Sequence, residues 1–183
     1  PEFSYKETNA MRVIRNILTA DYKLGILRYA SNYDKYFKEM LDEKGLTGEL
    51  VTEFHYVLLM NEKHPLAGKE TISFADLRPC MEIAHADPYV PSLPLSTVKK
   101  EELPDDIDRR IFVFERASQY DLLQQNPETF MWVSPAPEDT LRRYGLVQRA
   151  CPENQKVYRD MLIYRKDYKL TELDQDFITE LCK

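Results

Sequence analysis

The stretch that decides the fold is residues 47–77, TGELVTEFHYVLLMNEKHPLAGKETISFADL. It begins with a β-type run, residues 50–60, whose second half has apolar side chains on both faces. This pattern is typical of a strand that is buried inside a covered sheet. Because a strand of this length can leave one packed region and enter another, we predict that it crosses between two lobes.

The residues before this stretch predict one of the lobes. A β-type run at residues 2–6 and a strand at residues 22–29 alternate with two amphipathic helices. The apolar residues of the helices recur at helical spacing: Met11, Ile14, Ile17 and Leu18, then Tyr33, Tyr36, Phe37, Met40 and Leu41. Gly45 follows the second helix as a left-handed cap. The alternation of strand and helix predicts a parallel α/β lobe.

A second series of strands and helices follows. Strands are predicted at residues 80–85, 110–114, 130–133 and 146–150. Helices are predicted near residues 96–102 and 118–124, and a third starts at residues 134–138 and ends before Gly145. Another β-type run, residues 157–164, predicts the return crossover, and Thr171 begins a last helix with an apolar packing stripe. The predicted fold class is α/β, with two Rossmann-like lobes joined by two crossover strands, as in type II periplasmic binding proteins. Lobe I comprises residues 1–57 and 158–183, and lobe II comprises residues 58–157.

Charge and cysteine content limit the classes of function. The net charge is −6 and the pI is about 5.2, which argues against nucleic-acid binding by this chain alone, since that usually needs a basic face. Cys80, Cys151 and Cys182 are odd in number and far apart, so we expect no disulfide framework and a reducing, cytoplasmic environment. No apolar run approaches ~18 residues, so no membrane span is expected.

The sequence offers little for metal or covalent chemistry. His55, His64 and His85 lack the spacing of metal ligands. Glu82 and His85 match the pattern E-x-x-H, but they lie on a predicted strand, where they would not share a helix face. The sequence contains no G-x-S-x-G, G-x-G-x-x-G or Walker-type motif. We therefore predict no cofactor, no metal and no catalysis.

Three short motifs give the chain a family resemblance. They read His64-Pro65-Leu66-Ala67, Ile72-Ser73-Phe74-Ala75-Asp76-Leu77 and, upstream, Asp21-Tyr22-Lys23-Leu24-Gly25-Ile26. In order and spacing they resemble the HPLA, I-S-x-x-D-L and D-x-x-L-G-I elements in the effector-binding domain of LysR-type transcriptional regulators. The resemblance covers nearly the whole chain, most clearly residues 1–85, and implies the same two-lobed fold. It also implies a preceding strand, helix and winged helix-turn-helix, so we expect the chain to be a piece of a longer protein.

The resemblance also implies where an effector binds. Thr8 matches the effector-contacting Ser or Thr of the family at the start of the first-lobe helix. Asp87, Pro88 and Tyr89 fall where a second-lobe loop lines the interlobe cleft.

Further candidates come from the strand ends, because ligands of open α/β sheets lie beyond the carboxyl ends of the strands. Arg28, Tyr29 and Ser134 stand at such ends, and Asn9 lies beside Thr8. Each also has a structural interpretation. Thr8 or Asn9 can cap the helix, Arg28 can be a surface charge instead of a carboxylate clamp for the ligand, and the tyrosines can simply pack.

These candidates predict that a small anionic metabolite binds between the lobes, because helix N-termini supply N–H donors and a positive dipole end. Glu7 and Asp87 oppose a purely anionic ligand, so an amino-acid-like molecule with both charges is a variant. We expect a homodimer or homotetramer that contacts DNA only through an N-terminal winged helix-turn-helix. The alternative is a solute-binding protein or an enzyme on the same two-lobed fold.

Overall fold

The computed structural model describes residues 2–19, 22–103 and 106–183. Pro1, and Asp21 of the D-x-x-L-G-I element, lie outside these residues. The helices are α1 Ala10–Leu18, α2 Asp34–Glu43, α3 Phe74–Leu77, α4 Leu95–Glu102, α5 Gln119–Gln125, α6 Glu138–Tyr144 and α7 Glu172–Leu181. The strands are β1 Gly25–Ala30, β2 Leu46–Phe54, β3 Val57–Asn61, β4 Met81–His85, β5 Arg110–Val113, β6 Thr129–Val133, β7 Leu146–Arg149 and β8 Tyr158–Arg165.

The chain folds as two compact units, each with its own sheet. The three-stranded unit consists of Thr8–Phe54, Tyr89–Leu93 and Val157–Lys183. The five-stranded unit consists of His55–Pro88, Pro94–Lys156 and the described part of Pro1–Glu7. The predicted α/β class with two lobes is confirmed, while the lobe boundaries of residues 1–57, 58–157 and 158–183 remain a prediction.

The decisive stretch contains two strands rather than one. β2 pairs with β8 in the three-stranded sheet, and β3 pairs with β6 and β7 in the five-stranded sheet. The break falls at His55 and Tyr56, where strand pairing stops. In β3, the consecutive residues Leu58, Leu59 and Met60 are each 0% exposed. This burial confirms that the strand is covered on both faces.

The three-stranded sheet has the order β1-β8-β2. Both outer strands run antiparallel to β8, so β1 and β2 have the same direction but do not pair with each other. The predicted parallel pattern therefore needs correction: a strand from far along the chain lies between the two. Met161, Leu162 and Ile163 of β8 are all buried, which suits a central strand with both faces covered.

The five-stranded sheet has the order β5-β4-β6-β3-β7. β4 runs parallel to β5 and β6, whereas β3 runs antiparallel to β6 and β7. Leu58 and Met60 belong to one hydrophobic cluster and Leu59 to another. Because alternate residues of a strand point to opposite faces, the two clusters lie on opposite faces of this sheet.

The helix ends follow the predicted signals. Gly45 and Gly145 adopt φ values of 66° and 62°, the left-handed conformation that ends α2 and α6. Thr171 and Asp174 form a reciprocal capping box at α7. These ends confirm the predicted stop at Gly45 and the predicted start at Thr171.

The N-terminal residues do not form the predicted strand. Residues 2–7 have no strand conformation and are exposed, including the large side chains of Phe3 and Tyr5. Their alternating sequence suits a β-strand, but a strand requires a neighbouring edge for its backbone hydrogen bonds. None of the strands formed by the described residues pairs with this segment.

The predicted packing stripe of α7 is also wrong for this structure. The stripe comprises Leu173, Phe177, Ile178 and Leu181, but no residue of α7, all of which the structure describes, is buried. Leu173 and Phe177 are each 49% exposed. Helical spacing identifies the apolar side of a helix but not whether another element covers it.

We expect two phenylalanines to differ strongly in their contribution to stability. Phe37→Ala removes a fully buried ring of α2 and should lower the free energy of unfolding by about 3–5 kcal/mol. Phe177→Ala removes a half-exposed ring and should lower it by less than about 1 kcal/mol. Urea denaturation of both variants measures the difference, and equal losses would mean that α7 is covered in solution.

The turn after β3 is fixed by side chains that bond to the backbone. The amide oxygen of Asn61 accepts from the backbone N–H of Lys63 at 2.9 Å. Nδ1 of His64 accepts from the backbone N–H of Leu66 at 3.0 Å, and the His64 ring is buried. The His-Pro-Leu-Ala motif is therefore a structural turn in this unit.

The Ile-Ser-Phe-Ala-Asp-Leu motif forms the capped helix α3. The Ser73 hydroxyl accepts from the backbone N–H of Asp76, and the Asp76 carboxylate accepts from the backbone N–H of Ser73. Nζ of Lys69 lies 2.6 Å from the same carboxylate. The hydrogen bond from Lys69, followed by the bonds to Ser73, lowers the pKa of Asp76 to about 2.

This capping box should make stability depend on pH. Because the folded-state pKa of Asp76 is below the ordinary 3.8, its contribution is present above pH 3.8 and is lost as pH falls toward about 2. Asp76→Asn should therefore destabilise the protein at pH 5 and lose most of that effect near pH 2. Urea midpoints at both pH values test this, and a pH-independent difference would contradict it. Ser96→Ala, on an exposed position of α4, is the control, because Ser96 takes no part in the Asp76 capping box.

Candidate functional site

The parallel strands of the five-stranded unit end at one edge of their sheet, which we call the carboxyl edge. His85 of β4 lies opposite Val113 of β5, and the backbone N–H of Ala86 donates to the carbonyl of Val113 at 3.2 Å. β6 also runs parallel to β4. Residues 86–88, 114–116 and Ser134 therefore leave the sheet on the same side.

Three of the predicted site residues lie at the carboxyl edge. Asp87 and Pro88 follow β4, and Ser134 follows β6; all three are half-buried. Strand ends of this kind are where open α/β sheets bind ligands, because the loops there present polar groups above a rigid scaffold. The structure thus brings together the ends of neighbouring strands from which these candidates follow.

The strand-end reasoning missed Arg116, which lies in the loop after β5. Its side chain is exposed, and its charge contributes to a lowered pKa of His85. Burial is the main cause of that shift, which brings the pKa of His85 to about 4, with Asp87 opposing it. His85 is therefore neutral at pH 7. Applying the strand-end rule to β5 as well as to β4 and β6 would have found Arg116.

The N-terminal segment contributes two polar residues to the same electrostatic environment. The Tyr5 hydroxyl donates to the Glu7 carboxylate at 3.0 Å. Desolvation and this hydrogen bond raise the pKa of Tyr5, while the positive charge of Arg116 opposes the rise. Tyr5 and Arg116 are thus close enough to interact within the five-stranded unit.

Five candidates belong to the three-stranded unit, and two of them stand at the start of α1. The side-chain oxygen of Asn9 accepts from the backbone N–H of Arg12 at 2.9 Å, so Asn9 rather than Thr8 caps the helix. Thr8 is half-buried immediately before the cap. The Thr8 hydroxyl therefore does not cap α1, although the sequence allowed it to.

The side chain of Arg28 binds a carboxylate of its own chain. Nε and Nη2 donate to the two oxygens of Asp160 at 2.7 and 2.8 Å, a bidentate pair between opposite residues of β1 and β8. The guanidinium also lies over the ring of Phe54, with Cζ 4.6 Å from the ring centroid. The fork of the Arg28 guanidinium is therefore occupied by a carboxylate of the chain itself, and its role as a clamp for a ligand carboxylate stays a prediction.

The two tyrosine candidates pack around Phe37. Tyr29 is 4% exposed, stacks on Phe37 at 4.0 Å between ring centroids, and donates its hydroxyl to Asp34 at 2.8 Å. Burial and the bond to Asp34 raise the pKa of Tyr29 far above its usual value. Tyr89 meets Phe37 edge-on at 6.5 Å. These contacts match the packing interpretation of both residues.

Two further properties of the described residues bear on other kinds of function. Residues 2–19, 22–103 and 106–183 contain no group of three or more His, Cys, Asp and Glu side chains placed to hold a metal ion. None of the helices in these ranges combines the length and apolar character needed to cross a membrane.

Comparison with known proteins gave matches among solved structures only. No protein-family model matches the chain, and no curated protein matches it. The effector-binding domain of QuiR in complex with shikimate matches with a TM-score of 0.66 and 17% identity, over 98% of this chain and 79% of that chain. The oxidised form of OxyR matches with a TM-score of 0.64 and 14% identity, over 99% and 80% of the two chains.

HinK, a LysR family transcriptional regulator from Pseudomonas aeruginosa, matches with a TM-score of 0.63 and 16% identity. The match covers 97% of this chain but only 57% of HinK, so the chain spans little more than half of that regulator. At these identities the likeness establishes the fold. The chain has the α/β fold found in the effector-binding domains of LysR-family transcriptional regulators.

Proposed function

We propose that this chain is the effector-binding regulatory domain of a LysR-type transcriptional regulator, which senses a small metabolite and carries out no catalysis. The observation that carries the proposal is the match of nearly the whole chain to the shikimate-bound effector domain of QuiR. The His-Pro-Leu-Ala and Ile-Ser-Phe-Ala-Asp-Leu motifs support it independently, because their resemblance to the elements of that family lies in the sequence and not in the fold.

The carboxyl edge of the five-stranded unit is the best-supported part of the binding site. Asp87, Pro88 and Ser134 follow neighbouring parallel strands there, and the neutral ring of His85 adds hydrogen-bonding capacity. Such a set of groups suits the recognition of a polar ligand. A solute-binding protein could use the same edge, so ligand binding alone does not distinguish it from a regulator, whereas turnover would identify an enzyme.

We also propose effector contacts for the remaining candidates, which lie in the three-stranded unit: Thr8, Asn9, Arg28, Tyr29 and Tyr89. Thr8 has the strongest claim among them, since its hydroxyl is not used to cap α1. The side chains of Arg28 and Tyr29 are already bonded to carboxylates of the chain, so an effector would have to share those groups.

The proposed regulator has further parts and partners. It would act in the cytoplasm as a homodimer or homotetramer, and it would contact DNA through an N-terminal winged helix-turn-helix. An effector would alter transcription only if it binds one arrangement of the protein more tightly than another. Recovery of the protein-coding sequence around this chain would identify the DNA-binding module directly.

The first test is a ligand screen with small hydroxy and amino acids, shikimate among them. A ligand present at about 100 times its dissociation constant should stabilise the protein by roughly 2.7 kcal/mol, which a melting curve detects. Ser134→Ala should weaken binding of a hit by about tenfold, because one hydrogen bond is lost. Ser96→Ala, on an exposed position of α4, is the matched control. Conversion of a hit into another compound, or no hit in the screen, would contradict the proposal.

Arg28 requires a separate measurement. Arg28→Ala leaves the mostly buried Asp160 carboxylate without its bidentate partner and should lower the free energy of unfolding by about 1–3 kcal/mol. Urea denaturation without ligand measures this loss. Since the same loss lowers the melting temperature, direct titration must be used to assess effector contact. An unchanged stability would show that the Arg28–Asp160 pair does not persist in solution.

A further inference from the structure

Parallel pairing fixes the position of Arg116. The loop that follows β5 leaves the sheet beside residues 86–88, because β4 and β5 are paired up to His85 and Val113. The backbone carbonyl of Arg116 accepts from the N–H of Gln119 at 3.3 Å, which turns the loop into α5. Arg116 is therefore anchored through its backbone, while its side chain is exposed at the carboxyl edge.

The Arg116 guanidinium is not used to hold the fold together. Across residues 2–19, 22–103 and 106–183, it forms no ion pair and no side-chain hydrogen bond. Arg28 and Arg110, by contrast, are bound to Asp160 and Glu82. A guanidinium presents five N–H donors in a planar fork that matches a carboxylate or a phosphate. At Arg116 these donors remain available to a ligand.

The surroundings of Arg116 combine neutral and acidic groups. His85 and Tyr5 interact with its charge, and both are neutral at pH 7 because the pKa of His85 is lowered and that of Tyr5 is raised. Asp87 and Glu7 are the carboxylates that act on His85 and Tyr5. An acid group beside Arg116 would thus meet one cation and two neutral polar side chains, with the carboxylates of Asp87 and Glu7 opposing it. Asp87 lies on the same edge, where it can face a positive or hydroxyl-bearing part of the ligand.

We propose that Arg116 determines the specificity of the site by binding the acid group of the effector in a bidentate ion pair. This inference rests on the proposed function and names its ligand class: a small carboxylic acid, with or without an amino group. Arg116 selects an acid over its neutral analogue because bidentate, charge-assisted hydrogen bonds are stronger and more directional than neutral ones.

The test compares each acid of the screening panel with its own primary amide, by calorimetric titration of the whole protein. Arg116→Gln should weaken binding of the acid about tenfold or more and leave binding of the amide within about twofold. Arg116→Lys should weaken the acid less, because it keeps the charge and loses the fork. Arg143→Gln, in the last turn of α6, removes the same charge elsewhere in the unit and should change neither affinity.

Each outcome decides a different point. If Arg116→Gln binds the acids as tightly as the unaltered protein, the inference is overturned and the proposed function stands. If Arg143→Gln weakens the acids equally, net charge rather than Arg116 is responsible, and the inference is again overturned. If neither acids nor amides bind the unaltered protein, both proposals fail. Circular dichroism and melting curves confirm folding, and Arg116→Lys decides the matter if Arg116→Gln does not fold.

Discussion

Burial of β3 on both faces is the constraint on which the five-stranded unit depends. Leu58, Leu59 and Met60 are consecutive, so their side chains alternate between faces, and all three are excluded from solvent. Each such burial contributes about 1.5–3 kcal/mol relative to an exposed side chain. β3 can be covered in this way only when helices and loops lie on both faces of the sheet. Its pairing with β6 then fixes the strand that leads to Ser134.

A second interaction, the ion pair between Arg110 and Glu82, sets the register of β5 against β4 at the edge of that sheet away from β7. Nε of Arg110 lies 2.7 Å from the Glu82 carboxylate, and the two residues are opposite each other on β5 and β4. Both side chains are largely buried, and burial raises the pKa of Glu82 although Arg110 opposes the shift. A buried ion pair adds little net stability, but a slipped register would leave both charges without a partner. The pair thereby determines where β5 ends and where its loop begins.

Much of the fold could be predicted because the local signals agree with the tertiary structure. Gly45, Thr171 and Ser73 mark helix ends through backbone geometry and hydrogen bonds that involve only neighbouring residues. The failures concern contacts between distant parts of the chain. The sequence pattern at residues 2–6 cannot indicate whether a sheet edge will accept a strand, and the stripe of α7 cannot indicate what covers it. The order β1-β8-β2 likewise depends on a strand more than a hundred residues after its neighbours.

The candidate site shows the same division. Asp87, Pro88 and Ser134 could be selected because strand ends are visible in the sequence, and parallel pairing places those ends together. The hydrogen bonds of Arg28 and Tyr29 could not be predicted, because their partners Asp160 and Asp34 become apparent only when the strands and helix are packed. The end of β5 leads to Arg116 in the same way, but only the packed structure shows that Arg28 and Arg110 are bound to carboxylates whereas, among the described residues, Arg116 is not.

The central position of β8 has a consequence for how the protein is made. β1 and β2 both pair with β8, so the three-stranded sheet cannot form on the ribosome until residues 158–165 have emerged. Until then the two strands have unpaired edges, and unpaired strand edges on a nascent chain invite association with other chains. Sheets built from such distant pairings also fold slowly, because the entropy cost of closing a long loop comes before the stabilising contacts form. During synthesis, aggregation through β1 and β2 is therefore a greater hazard for this unit than the local strength of its helices would suggest.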